Sequence, residues 1–239
     1  MTDDMKLYWK LYSEWFPNER ILSKFNNPIR DYSIKNSGKV IDIGCGQSTY
    51  LLDLLDSNYE LFAVDTNEMQ LQLLKDRVIK SGNKAERINY SSTEFPSDNF
   101  KGNYFTAIII SNLLHFFKKN DAYNFVSQLN QYSESGTLIL VTVHSSSHLS
   151  NKKEITDKSY FKSFYSKSDL YEMFPSSDFE YIGYIEKEKL PNNYKIKFIK
   201  HWINEVYKEK YTPNQIRKIQ QNYLKTCRIN SIDFLVKKH

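Results

Sequence analysis

Two carboxylates and two glycines at fixed spacing carry the clearest chemistry in this sequence. Asp42, Gly44 and Gly46 stand within Val40-Ile41-Asp42-Ile43-Gly44-Cys45-Gly46-Gln47-Ser48-Thr49, and Asp65 ends Tyr59-Glu60-Leu61-Phe62-Ala63-Val64-Asp65, 21 residues after Gly44. The glycines let the chain turn sharply and admit a ligand where a Cβ would block it. The first free N–H groups of a helix capped by Ser48 or Thr49 point at the same spot. An acid at the end of the next strand is placed to bond ribose hydroxyls. The constellation is that of a nucleotide-like cofactor.

The elements that position it follow from periodicity. Val40, Ile41 and Ile43 read as a buried strand, and Leu51, Leu52, Leu54 and Leu55 as the apolar stripe of the helix after the turn. Two cofactor classes compete for such a unit. The dinucleotide fingerprint wants a third glycine where Thr49 stands, and Asp42 is out of place beside a diphosphate. It suits an ammonium group. S-adenosylmethionine has one, with a carboxylate for the helix N-terminus and a ribose for Asp65.

At Asp42, Gly44 and Gly46 the chain resembles the class I S-adenosylmethionine-dependent methyltransferases, whose first motif is acid-x-Gly-x-Gly; Ser48 replaces a third glycine often seen there. The resemblance runs for about 140 residues. Arg87 to Tyr90 reads as a third strand, Tyr104 to Phe117 as a fourth with the start of a helix, and Gly136 to Val143 as a fifth after a Ser135-Gly136 turn. Ala122, Phe125, Val126 and Leu129 mark a crossover helix. Phe179 to Ile185 reads as the sixth strand and Ser231 to Val236 as an antiparallel last strand. The resemblance implies an α/β fold: a Rossmann-like, doubly wound, seven-stranded sheet with an N-terminal helix and a helical insertion before the last strand. It implies one methyltransferase domain over 1–239, with a lid at 1–37, a cofactor-binding core at 38–145 and the insertion at 187–229. The cofactor residues it implies are Asp42, Gly44, Cys45, Gly46, Ser48, Asp65, Thr66, Ser92, Thr93, Ser111 and Asn112, with no metal. Ser91 replaces the family's acid near the adenine, so that contact falls to Ser92, Thr93, Glu94 or backbone groups.

Methyl transfer asks mainly for alignment and exclusion of water. A general base is needed only when the acceptor must lose a proton. His115, just past the fourth strand, is the candidate, with His144 and His148 as alternatives; beside Leu113, Leu114, Phe116 and Phe117 it also reads as a packed structural residue. The Asn/Asp-Pro-Pro-aromatic motif of amino-methyltransferases is absent at Ser111-Asn112-Leu113-Leu114, and neither Cys45 nor Cys227 suits attack on a pyrimidine. A small-molecule acceptor is therefore the leading expectation, with a protein side chain next.

Two cysteines are too few for a disulfide framework or zinc site, no apolar run reaches membrane-span length, and Met1 to Lys6 lacks an apolar signal segment, so the expected compartment is the cytoplasm. A helix over residues 5–25, with Tyr8, Trp9, Tyr12, Trp15 and Phe16, reads either as the lid or as core packing. Residues 195–225 hold eight Lys or Arg against two Glu, a local net of +6 in a chain of +5. Phe198, Ile199, Trp202, Ile203 and Val206 form one apolar face there, and Ile216, Ile219, Tyr223 and Leu224 another. This hairpin reads as a solvated cover packed on the sheet edge, or as a platform for an anionic partner such as nucleic acid or an acidic protein. The latter gives the alternative to an enzyme: a cofactor-binding or regulatory protein of the same fold.

Overall fold

The computed structural model describes residues 2–17, 23–35, 37–151 and 161–239. Residues 1, 18–22 and 36 of the expected lid and residues 152–160 after the fifth strand lie outside them. Seven strands form one sheet: β1 (Gly38–Ile43), β2 (Tyr59–Asp65), β3 (Ile88–Ser92), β4 (Phe105–Ser111), β5 (Ser133–His144), β6 (Phe179–Lys189) and β7 (Ile229–Lys238), in the order β3-β2-β1-β4-β5-β7-β6. β7 runs antiparallel to β5 and β6; the other neighbouring pairs are parallel. Parallel strands covered on both faces need apolar side chains in both directions. Val40, Ile41, Ala107 to Ile110 and Ile139 to Val141 are accordingly fully buried.

Helices α2 (Asn26–Lys35), α3 (Thr49–Asp53) and α4 (Glu68–Lys80) cover one face through Ile29, Leu51, Leu71, Leu74 and Val78. On the other, α5 (Lys119–Gln128) and α6 (Lys167–Met173) pack Ala122, Phe125, Val126 and Leu170. Strand order reverses at β1: β2 and β3 lie to one side, β4 and β5 to the other. Connections from β1 and β4 therefore diverge and leave a crevice at the strands' carboxyl ends, where ligands bind in open α/β sheets.

Three further helices form a separate apolar cluster. Tyr12 and Phe16, on and just after α1 (Asp3–Trp15), meet Phe198, Ile199, Trp202 and Ile203 of α7 (Asn193–Tyr207) and Ile216 of α8 (Pro213–Thr226). Trp202 Nε1 donates to Asp4 O at 3.0 Å. Lys195 Nζ lies 4.2, 4.7 and 4.9 Å from the ring centres of Tyr12, Phe16 and Phe198, an ammonium held by aromatic faces. The packing corrects one expectation. The insertion lies against α1 rather than the sheet edge, because α1 offers the larger aromatic surface. It is also shorter than 187–229: β6 continues to Lys189, the helices occupy 193–226 and β7 begins at Ile229. β5 likewise starts at Ser133, so Ser135 and Gly136 lie inside the strand, at an irregular register opposite Phe105 and Ala107.

Candidate functional site

β1 delivers Asp42 and then the turn Gly44 to Ser48 to the crevice. Gly44 and Gly46 have φ of +65° and +49°, values that side-chain-bearing residues rarely adopt. A Cβ on Gly44 would lie 2.7 Å from Leu113 Cδ1, whereas one on Gly46 would meet nothing nearer than Gln70 Oε1 at 3.9 Å. Gly44 thus admits a neighbouring side chain, and Gly46 faces open space. Ser48 caps α3 by accepting from Leu51 N at 3.0 Å. That helix stops at Asp53, leaving Leu54 and Leu55 buried in the following turn, ahead of the turn-forming Asp56, Ser57 and Asn58.

Two carboxylates frame the turn in different ways. Asp65 is partly exposed; its oxygens accept from Gly46 N and Asn67 N, both at 2.8 Å. Asp42 is 1% exposed. Its Oδ2 accepts from Ser48 Oγ at 2.5 Å, while its Oδ1 is buried with no partner. Burial pushes Asp42 up to about 7, against the Ser48 hydrogen bond that favours the ion, with Asp65 adding to the rise. Burial, followed by Asp42, also holds the Cys45 thiol well above its ordinary range, so it is no nucleophile. A buried carboxyl with a free oxygen fits an arriving ammonium.

The remaining expected cofactor residues spread along the same edge. Thr66 follows Asp65, and Ser92 ends β3 with Thr93 beside it. Ser111 ends β4, and Asn112 donates its N–H to Thr142 O at 2.8 Å in a left-handed conformation, φ 57°. Asn tolerates that region better than most residues, and such backbone collects at functional sites. Sequence reading missed Gln47 and Arg77. Gln47 Nε2 donates to Trp9 O at 3.0 Å, tying the turn to α1, and its Oε1 is buried without a partner. Arg77, 2% exposed, donates from Nη1 to Gln47 O at 2.7 Å and from Nε to Pro17 O at 3.3 Å.

Beyond β4 the three histidines come together. His115 and His144 stack with ring centres 3.9 Å apart, and His144 and His148 at 4.4 Å. Phe161 meets His115 and His144 edge-on at 5.0 and 4.5 Å. Burial, then the neighbouring rings, drives His115 well below its ordinary value and His144 down to about 3; burial lowers His148 as well. A base that weak takes little proton at neutral pH. Burial thus makes His115 a weak base where it stands. Alongside runs a polar chain: Tyr50 Oη lies 3.4 Å from Thr142 Oγ1, which donates to Asp233 Oδ1 at 3.2 Å, and Asp233 pairs with Lys187. Asp233 carried a sequence signal, an acid between Ile232 and Phe234, like Asp42 between Ile41 and Ile43. Among the described residues no His, Cys, Asp or Glu cluster is arranged to hold a metal ion, and no helix is long and apolar enough to cross a membrane.

Residues 40–136 match the family model described as a methyltransferase domain, over the strand, glycine turn and crossover units just described. Over these residues the chain is similar to the class I methyltransferases. A carboxy-S-adenosyl-L-methionine synthase from Campylobacter hominis is 26% identical over 133 residues, 54% of this chain and 55% of that protein. The chain thus spans about half the length of the curated relative it matches. A SAM-dependent methyltransferase from Geobacter sulfurreducens, solved with S-adenosyl-L-homocysteine, superposes with a TM-score of 0.65 at 12% identity, over 96% of this chain and 98% of that one. The [4+2]-cyclase SpnF superposes with a TM-score of 0.61 at 13% identity, over 98% and 94% of the two chains. At such identities the likeness is one of fold, and the cyclase indicates how far the fold's chemistry ranges.

Proposed function

We propose that this chain is an S-adenosylmethionine-dependent methyltransferase acting on a small molecule. The observation that carries the reading is the unpartnered, buried Oδ1 of Asp42 beside a glycine turn whose Gly46 faces open space. Asp42 would receive the cofactor's ammonium and Asp65 the ribose hydroxyls, with Ser92, Thr93, Ser111 and Asn112 along the edge toward adenine and sulfur. When bound, the cofactor supplies an activated methyl group. The chain's own task is then to align the acceptor and keep water out. The aromatic cluster of α1, α7 and α8, tied to the turn through Gln47, serves as that cover. A small acceptor is favoured because the Asn/Asp-Pro-Pro-aromatic motif is absent at Ser111-Asn112-Leu113-Leu114 and neither Cys45 nor Cys227 suits attack on a pyrimidine.

Calorimetry with S-adenosylhomocysteine and with NAD tests the reading. The wild type should bind the first and not the second. Asp65→Ala should weaken binding by about 2 kcal/mol or more, as for a charge-assisted hydrogen bond. A protein that bound NAD and not S-adenosylhomocysteine would overturn it.

A further inference from the structure

The end of β5 carries polar side chains that neither the glycine turn nor the aromatic cluster uses. Side chains directly opposite one another on neighbouring strands share a face of the sheet. His144 of β5 stands opposite Ser231 of β7, and Ser231 opposite Lys187 of β6, so the three form one row. The row beneath holds Thr142 and Asp233, and Ser111, in register with Thr142, joins it to the cofactor edge. One step deeper the face turns apolar at Leu140, Leu235 and Gly183, where a Cβ on Gly183 would lie 2.3 Å from Phe25 Cε1. Ser231 and His144 are 2% and 7% exposed, and Ser231 Oγ and His144 Nδ1 are buried with no partner among the described residues. So is Nδ1 of His115, the ring stacked on His144. A buried polar atom left unpaired costs stability. Three in one corner mark a place where partners arrive.

The corner offers hydrogen bonds without net charge. Buried Asp233 and Lys187 cancel each other, and both rings are uncharged at neutral pH because burial lowers them. A carboxylate or an ammonium would arrive with its charge unmatched. A hydroxyl both donates and accepts, so it serves Ser231 and either tautomer of the rings. We propose that this corner receives the methyl acceptor, and that the acceptor is an uncharged molecule whose hydroxyl group is bound by Ser231, His144 and His115. Lys187 and Asp233 are positioning residues that keep the corner neutral. The inference rests on the cofactor reading above.

The test titrates three fragments into protein saturated with S-adenosylhomocysteine: benzyl alcohol, benzoate and benzylammonium. Each carries a phenyl ring to pack beside Phe161, which meets both histidines edge-on, and they differ in the charge of one group. Benzyl alcohol should shift the imidazole resonances of His115 and His144 and bind roughly fivefold or more tightly than either ion, the penalty for an unmatched charge. Ser231→Ala should raise the Kd for benzyl alcohol about fivefold and leave that for S-adenosylhomocysteine within about twofold. Asp233→Asn leaves the Lys187 charge unbalanced and should reverse the order in favour of benzoate. If that variant does not fold, the wild type and Ser231→Ala still decide. A wild type that prefers either ion or binds all three alike, fragments that leave both rings unmoved, or benzyl alcohol binding untouched by Ser231→Ala overturns the proposal. Failure of the wild type to bind S-adenosylhomocysteine is a different result, which removes the cofactor reading itself; the same titrations on the free protein then decide whether the corner is a site.

Discussion

Ser48 donates its hydroxyl to one oxygen of Asp42 and leaves the other oxygen of that carboxyl buried and unpartnered. With its pKa near 7, free Asp42 is largely protonated in mildly acidic solution. An ammonium beside it favours the ion, so S-adenosylhomocysteine binding should release a proton below about pH 7. Affinity should rise by up to about tenfold between pH 6 and 7 and then level off. Calorimetry in buffers of different ionisation enthalpy measures the proton directly. Asp42→Asn should abolish the release, and a wild type without it would contradict the assignment.

The two glycines of the turn should fail differently. Gly46→Ala forces a Cβ into a left-handed position at about 1–2 kcal/mol, but the atom enters open space. Its thermal midpoint should drop modestly while cofactor binding is lost. Gly44→Ala meets Leu113 as well, and should lose more stability by calorimetric melting.

The histidine stack gives stability a pH dependence with a definite sign. Burial holds His115 and His144 well below their ordinary value and lowers His148 in the folded chain, whereas the unfolded chain protonates all three below about 6.5. The unfolded state then binds more protons, so stability should fall as pH drops below 6.5, by up to about 1.4 kcal/mol per pH unit per ring. Asp42 opposes this. Raised in the folded state, it makes the folded chain the better proton binder between about pH 4 and 7, so its contribution falls as pH rises. Urea melts at pH 5, 6 and 7 should show a climb in the wild type and a steeper one in Asp42→Asn. Flat profiles in both would mean that the rings are not held neutral.

Charge on the insertion should matter little. Lys200, Lys208, Arg217 and Lys218 are exposed, and Lys208 meets only Glu205 among the described ion pairs. Changing all four to Glu should leave S-adenosylhomocysteine affinity within about twofold and stability within about 1 kcal/mol. Lys195 is different because aromatic rings surround it, and Lys195→Met should lower the melting midpoint on the scale of about 1–2 kcal/mol. Steep salt-sensitive RNA binding by the wild type, lost in the fourfold variant, would revive the partner reading.

The sheet was legible because each βα unit announces itself locally: Val40 to Ser48 contains strand, turn and cap in nine residues. Asp42 and Asp65 could be found as acids at strand ends. Gln47 and Arg77 could not, since a Gln in a loop and an Arg in an amphipathic helix are ordinary surface residues until tertiary packing buries them. The pairing of α1 with α7 was hidden for a related reason: both helices show an apolar face, but nothing in either period says which face meets which. His115, after β4, stacks on His144 at the end of β5, and no local spacing shows that these two segments bring their rings together.

The aromatic cluster joins elements far apart in sequence, with Trp9 and Trp15 in α1 and Trp202 in α7. These are all three tryptophans of the protein. During synthesis α1 emerges well over a hundred residues ahead of α7, and its aromatic face waits that long to be buried, a long interval for exposed apolar surface. In refolding, tryptophan emission would follow this late docking step, so a fluorescence trace lagging behind far-UV circular dichroism would time the joining of α1 and α7 against a sheet already formed.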